Sequence, residues 1–332
     1  MNINFLFGIL FSLVGLLIAL YLFRKKKALQ KPFCPLRADC HTVIQSNYAS
    51  MFGVPLEYFG IGYYLLSAIL YATPFAFNFL DIVLLKTILI ALSVVGAIFS
   101  IYLIALQAFV IKSWCSWCVL SATISIILFI ISSISLTPEV FALIASFKRF
   151  IIIIHVLAVV IGMGSAFVTD RLFFKFLKDY KISEEEKNIM DEVSKVIWYS
   201  LFVVIISGIF IYMTNMEGYN NSPKFWVKMI AVLVVTINGI FLNVVISPKL
   251  ISINFLNEVP FSRDISKKRK LAFALGAISL SSWLTAFCLA MLKNLSYDLF
   301  EIFGAYFVIL VLAILGSQVF EYVLSNKKIN IS

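Results

Sequence analysis

The chain has 332 residues, of which 62% are hydrophobic and 13% charged, and it carries a net charge of +10. That balance excludes an ordinary water-soluble globular protein and describes a polytopic membrane protein. The basic residues sit mainly in short segments beside apolar runs, where they set topology and meet anionic headgroups, so the charge does not signal a nucleic-acid ligand.

About 20 mostly apolar residues cross a hydrocarbon core of about 30 Å. Nine stretches qualify: 5–23, 60–77, 82–111, 118–136, 150–169, 196–216, 225–247, 271–292 and 299–324. Each is expected to be a helix, because a lipid-facing backbone must satisfy its hydrogen bonds within its own segment. The expected fold is therefore an all-α integral membrane protein. It divides into a four-span region over 1–136, a linker or interfacial segment over 137–149, and a five-span region over 150–332. No sizeable soluble domain fits into the remainder. The first run has no basic residue before it and Arg24-Lys25-Lys26-Lys27 after it, the reverse of a cleavable signal peptide, so an uncleaved anchor is expected.

After that anchor comes a polar loop with Cys34, Cys40, His41 and Ser46. Gly53 and Pro55 predict a turn before the second span. Tyr58, Phe59, Tyr63 and Tyr64 are expected to form an aromatic belt at the membrane interface. The run 82–111 is longer than one crossing needs, which implies tilt or a portion outside the bilayer. Trp114-Cys115-Ser116-Trp117-Cys118 then opens the fourth span. Thr137-Pro138 breaks the helix, since proline disfavours helical conformation in the residue before it.

The cysteines carry the chemistry. A C-x-x-C such as Cys115–Cys118 is the minimal dithiol that closes on itself, and its thiolates exchange with other disulfides. A cysteine at a helix N-terminus has its thiolate favoured by the macrodipole. With alternating spans, Cys34 and Cys40 fall on the same side of the membrane as the C-x-x-C. Two such pairs suggest a relay of electrons from one dithiol to the next. Two inert disulfides or a four-thiolate zinc site are the bland alternatives, the latter disfavoured by the C-x5-C spacing of the first pair. An alternative from another class is a transporter or metal-handling protein passing a soft cation such as Cu(I) or Hg(II) between paired thiolates. Such a path would want polar or thiol ligands at the membrane midplane, and the four-span half offers none beyond the C-x-x-C. His41, next to Cys40, is either a cation that lowers a thiol pKa or a solvated loop residue.

These residues resemble the vitamin K epoxide reductase family, in its bacterial and archaeal disulfide-forming branch. The resemblance covers roughly residues 5–136. It rests on Cys34 and Cys40 in the loop, Ser46 six residues further on, the run Gly53-Val-Pro-Leu-Glu-Tyr-Phe-Gly-Ile-Gly-Tyr-Tyr64, and the C-x-x-C followed by Ser121-Ala122. It implies a four-helix bundle around a quinone of the ubiquinone or menaquinone type, which serves as electron acceptor. It also implies named roles. Cys34 would take electrons from a thioredoxin-like partner, Cys40 would exchange with Cys115, and Cys118 would reduce the quinone. Ser46 would be a hydrogen-bond donor near the site. Animal members carry a tyrosine four residues past the last cysteine, where Ala122 stands here, so vitamin K epoxide chemistry does not transfer. Many members carry a fused thioredoxin-like domain. None is recognisable here, so the partner is expected to be a separate protein.

In 150–332, His155 lies inside the fifth span, where an interhelical hydrogen bond is favoured over a cofactor ligand. Asn238 and Asn243 read as helix-packing residues, and Cys288 as a small buried hydrophobe. Ser183 and Glu186 form a capping-box pattern in the charged segment 170–195, which reads as a solvated helix extension. A third reading makes this half the functional core, regulated by the redox state of the first. Only Lys86, Lys148, Arg149, Lys224, Lys228 and Lys293 of the 27 basic residues fall on the membrane side opposite the cysteines. The positive-inside rule then puts the cysteines on the cytoplasmic side, whereas the family resemblance implies a site facing the oxidising compartment.

Overall fold

A computed structural model describes residues 3–28, 30–35, 38–46, 48–51, 53–76, 81–176, 184–242, 263–292 and 297–329. Arg37, Ser183, Asn243, Lys293 and much of the basic stretch after 248 lie outside the described residues. The chain forms two compact units, Met1–Lys148 and Arg149–Ser332. Among the described residues nine helices are long and apolar enough to cross a membrane, and the protein is a multi-pass, all-α membrane protein with one very short hairpin.

The first unit comprises α1 (Ile3–Lys27), α2 (Cys40–Ile44), a hairpin of β1 (Ser50–Met51) and β2 (Val54–Pro55), α3 (Leu56–Ala76), α4 (Ile82–Ala105), α5 (Ser116–Ile134) and α6 (Pro138–Ser146). The hairpin turns through Gly53, whose φ of 76° suits a residue without a Cβ. The four long helices form a bundle held by a repeated contact. On α3, Tyr64 and Tyr71 lie one heptad apart. Their rings press on Gly15 and Gly8 of α1, where any Cβ would collide with them. The Tyr64 hydroxyl bonds to Ser125 Oγ of α5 at 3.0 Å, and to the oxygens of Ser121 at 2.7 and 2.9 Å. The Tyr71 hydroxyl bonds to Ser132 Oγ at 2.8 Å. Small residues let the backbones close up, and the serines satisfy phenols that would otherwise be stranded in an apolar interior.

This contact corrects the expected aromatic belt. Tyr58 and Phe59 are exposed as a belt requires, but Tyr64 is only 1% exposed and Tyr63 packs on Gly96 of α4. A helix turning every 3.6 residues sends residues five or six apart to different faces, and the serines of α5 draw Tyr64 inward. At the loop end of the bundle, Lys26 Nζ lies 3.0 Å from both carboxylate oxygens of Glu57 and 3.1 Å from the Ala49 carbonyl. This ion pair ties the end of α1 to the start of α3.

The long third run does not continue as one regular helix. α4 passes into a π-helix over Leu106–Ile111, and Lys112 then adopts a left-handed conformation with φ 55°. The helix break at Thr137-Pro138 is present, with Thr137 extended and Pro138 in the first helical turn. The segment after it is a nine-residue helix, α6, that buries Val140 and Ile144.

The second unit holds α7 (Lys148–Phe176), α8 (Glu184–Met213), α9 (Met216–Asn220), α10 (Pro223–Phe241), α11 (Arg263–Met291) and α12 (Leu299–Ile329). Val227 and Ala231 of α10, Leu289 of α11, and Ile302 and Tyr306 of α12 form one apolar cluster, with Tyr306 bonded to Ser282 at 2.8 Å. His155 Nδ1 lies 2.8 Å from Ser207 Oγ, so this intramembrane histidine makes an interhelical bond. Asn238 donates to the Leu275 carbonyl at 2.8 Å, tying α10 to α11. Cys288 corrects the sequence expectation. It is exposed on the same stripe of α11 as Leu284 and Met291, so it faces away from its bundle rather than into it.

Candidate active site

The loop between α1 and α3 and the start of α5 bring all four paired cysteines into one apolar cluster of the first unit. Cys34 and Cys40 form one disulfide, with Cα atoms 5.9 Å apart. Cys115 and Cys118 form a second, with Cα atoms 5.2 Å apart. The two pairs share a burial pattern. Cys40 is 1% exposed and Cys115 is 0% exposed, while Cys34 and Cys118 are each half-buried at the margin. Every pair therefore has one inner sulfur and one that a reactant can approach.

Cys115 is the N-cap of α5. Its Sγ accepts the Cys118 N–H at 3.2 Å, and its own N–H donates to Gln107 Oε1 at 2.9 Å. Gln107 lies in the π-helix and is only 2% exposed. The wider π turn carries this side chain round to the cysteine, a use of such bulges that recurs at functional sites. Leaving the Cys115 N–H unpaired in this interior would cost about 1–3 kcal/mol.

The two residues inside the C-x-x-C hold the loop. Ser116 Oγ donates to the Pro35 carbonyl at 2.8 Å, and Trp117 Nε1 donates to the Phe33 carbonyl at 2.7 Å. The Phe33 N–H donates to the Tyr21 hydroxyl at 3.0 Å, and the Tyr21 ring lies 5.2 Å from that of Trp117. The backbone on both sides of Cys34 is thus fixed against the C-x-x-C turn.

Cys40 opens α2. Asp39 caps that helix by accepting the Thr42 N–H at 3.2 Å and the Thr42 hydroxyl. Those hydrogen bonds hold the Asp39 carboxyl below its ordinary value, with the nearby His41 adding a smaller effect. His41 is half-buried beside the disulfide. The Ser46 hydroxyl donates to the Val43 carbonyl at 2.8 Å and so closes the end of α2. Ala122 is buried in α5.

The sequence pointed to the four cysteines through their pairing and to Ser46 through the family resemblance, but not to Gln107, Tyr21 or the contacts of Ser116 and Trp117. A signal existed for one of them, since Gln107 is a polar residue within an apolar run. Among the described residues no three His, Cys, Asp or Glu side chains gather as a metal centre would need. Two disulfides in one cluster, each with an inner and an outer sulfur, are suited to thiol–disulfide exchange.

Residues 6–133 match the family model of the Vitamin K epoxide reductase family. No curated protein and no solved structure matches the chain.

Proposed function

We propose, taking a redox domain of that family over residues 6–133 as premise, that the protein is a quinone-linked thiol oxidase that makes disulfides in a separate thioredoxin-like carrier. The observation that carries this reading is the graded burial of the four sulfurs, outer and inner in each pair within one cluster. The outer Cys34 suits attack by a carrier thiolate. That attack breaks the Cys34–Cys40 bond and forms a mixed disulfide at Cys34, which the carrier's second thiol resolves as its own disulfide closes. Two electrons and two protons have then entered the loop pair. The inner Cys40 and Cys115 share the water-poor interior, so Cys40 passes the electrons by attacking Cys115 and releasing Cys118. Cys34 then attacks Cys40, restoring the loop disulfide and leaving Cys115 and Cys118 as a dithiol.

Cys118 lies at the start of a span, with Trp114 and Leu120 exposed close by in sequence. That position fits an acceptor arriving from the lipid. A quinone supplies the two-electron, two-proton sink. The Cys115–Cys118 bond reforms as the dithiol is oxidised, and Gln107 and the N-cap geometry keep the two sulfurs facing each other.

The test is quinone reduction by purified protein supplied with a reduced thioredoxin-like dithiol. Turnover in the native protein, falling to background in Cys115→Ala and in Cys118→Ala, is the expected result, because neither cysteine alone can close the disulfide. Near-normal turnover in either variant rejects the relay.

A further inference from the structure

We propose that Ser116 and Trp117 are positioning residues that decide which loop cysteine meets Cys115. This rests on the relay reading above. The Phe33 and Pro35 carbonyls, one on each side of Cys34, both accept hydrogen bonds from side chains inside the C-x-x-C. A third bond, from the Phe33 N–H to Tyr21, holds the same short stretch against α1. With the backbone fixed at both neighbours, Cys34 keeps its half-exposed position at the margin. It cannot swing inward without breaking the bonds to Ser116 and Trp117. Among the described residues Cys40 has no such tether to the C-x-x-C, and it already lies inside the cluster that contains Cys115.

The consequence is an order of attack. In the relay Cys40 attacks Cys115; in the reverse exchange, which removal of Cys118 isolates, a free Cys115 thiolate attacks Cys40 of the loop disulfide. The Cys40–Cys115 bond forms, the Cys34–Cys40 bond breaks, and the electron pair leaves on Cys34, whose thiolate stays docked at the margin. No electron is gained or lost overall. Attack at Cys34 would instead join the C-x-x-C to the outer sulfur and leave the reduced sulfur buried, out of the carrier's reach. The C-x-x-C therefore contributes more than its two sulfurs, since its middle residues decide which loop sulfur Cys115 joins.

The experiment uses the full-length protein in lipid nanodiscs with Cys118→Ala, so that Cys115 has no partner within its own pair. Mass spectrometry of non-reduced peptides then gives the ratio of Cys40–Cys115 to Cys34–Cys115. Cys40–Cys115 is expected to dominate. Ser116→Ala with Trp117→Phe, which keeps an aromatic ring beside Tyr21, should raise the Cys34–Cys115 share by about fivefold or more, the factor that one lost hydrogen bond gives. Ser116→Thr, which restores a hydroxyl, should bring the ratio back toward the original. An unchanged ratio in the double variant overturns the proposal.

A second measurement separates this idea from the relay. In the fully reduced protein with all cysteines present, maleimide should label Cys34 faster than Cys40, and the double variant should narrow that difference. If the labelling difference collapses while Cys118→Ala traps no bond between the pairs, the relay has failed and the docking role stands. If the labelling difference is the same in native and double-variant protein, the docking role is rejected whatever the relay does.

Discussion

A buried glutamine eight residues before Cys115 sets where that cysteine's backbone lies. Gln107→Leu should destabilise the first unit by about 1–3 kcal/mol, since it strands the Cys115 N–H. The loss should appear as a lower thermal midpoint, together with slower reoxidation of the C-x-x-C. Gln107→Glu keeps an acceptor but adds negative charge beside the pair, which disfavours a thiolate, so the pH profile of quinone reduction should move to higher pH. No movement would mean that a charge at position 107 is not felt by the thiolates. The Lys26–Glu57 pair makes a comparable residue-scale demand. Glu57→Ala leaves a half-buried ammonium without its partner and should cost about 1–3 kcal/mol, below the fully buried range because Lys26 keeps some contact with water. At this scale the sequence was legible where chemistry and spacing coincide, as at Cys34, Cys40, Cys115 and Cys118. At Gln107 it showed only a polar residue within an apolar run, because the partner is a backbone N–H reached through the π turn.

At the scale of elements, α2 depends on its cap. Asp39 is held below its ordinary carboxylate value, so its folded form keeps the charge to lower pH than the unfolded chain does. Its contribution is complete above the unfolded value near 3.8 and is lost as pH falls through the lower folded value. Asp39→Ala should therefore loosen α2 at neutral pH, seen as faster amide exchange over residues 40–44. Asp39→Asn, which still caps, should protect those amides far better and remove their pH dependence in the acid range. If both variants exchange alike, the cap is not what orders α2. The long helices were plain in the sequence because nine apolar runs have no other stable form in lipid. Two features were not. The helix α6 begins at Pro138, the same proline that marks the break after α5. The inward turn of Tyr64 depends on serines 57 and 61 positions away on α5, a match that local periodicity does not contain.

For the whole molecule, the side of the membrane that the redox site faces follows from where the basic loops lie. Charge asymmetry favours the cytoplasm, and an impermeant thiol reagent tests this after reduction with a permeant one, in a Cys288→Ala background. The expected outcome is that Cys34 is labelled only in permeabilised cells, while a cysteine engineered beside Lys86 reacts from outside. Labelling of Cys34 in intact cells restores the outward-facing arrangement that the resemblance implies. The bundle around that site also carries an ambiguity that its contacts create. Gly8 with Tyr71 and Ser132, and Gly15 with Tyr64 and Ser125, are two copies of one rung, seven residues apart along α3 and α5. If α3 slid by about 10 Å, seven residues at about 1.5 Å each, Tyr71 would occupy the place of Tyr64 and one rung would survive intact. A freshly inserted chain thus has a shifted register that keeps one of the two rungs and loses the other. Lys26 and Glu57 form a pair that this repeat does not duplicate, so they add to the preference for the native register. Proteins that lose this pair should be trapped during assembly more often than their equilibrium stability suggests.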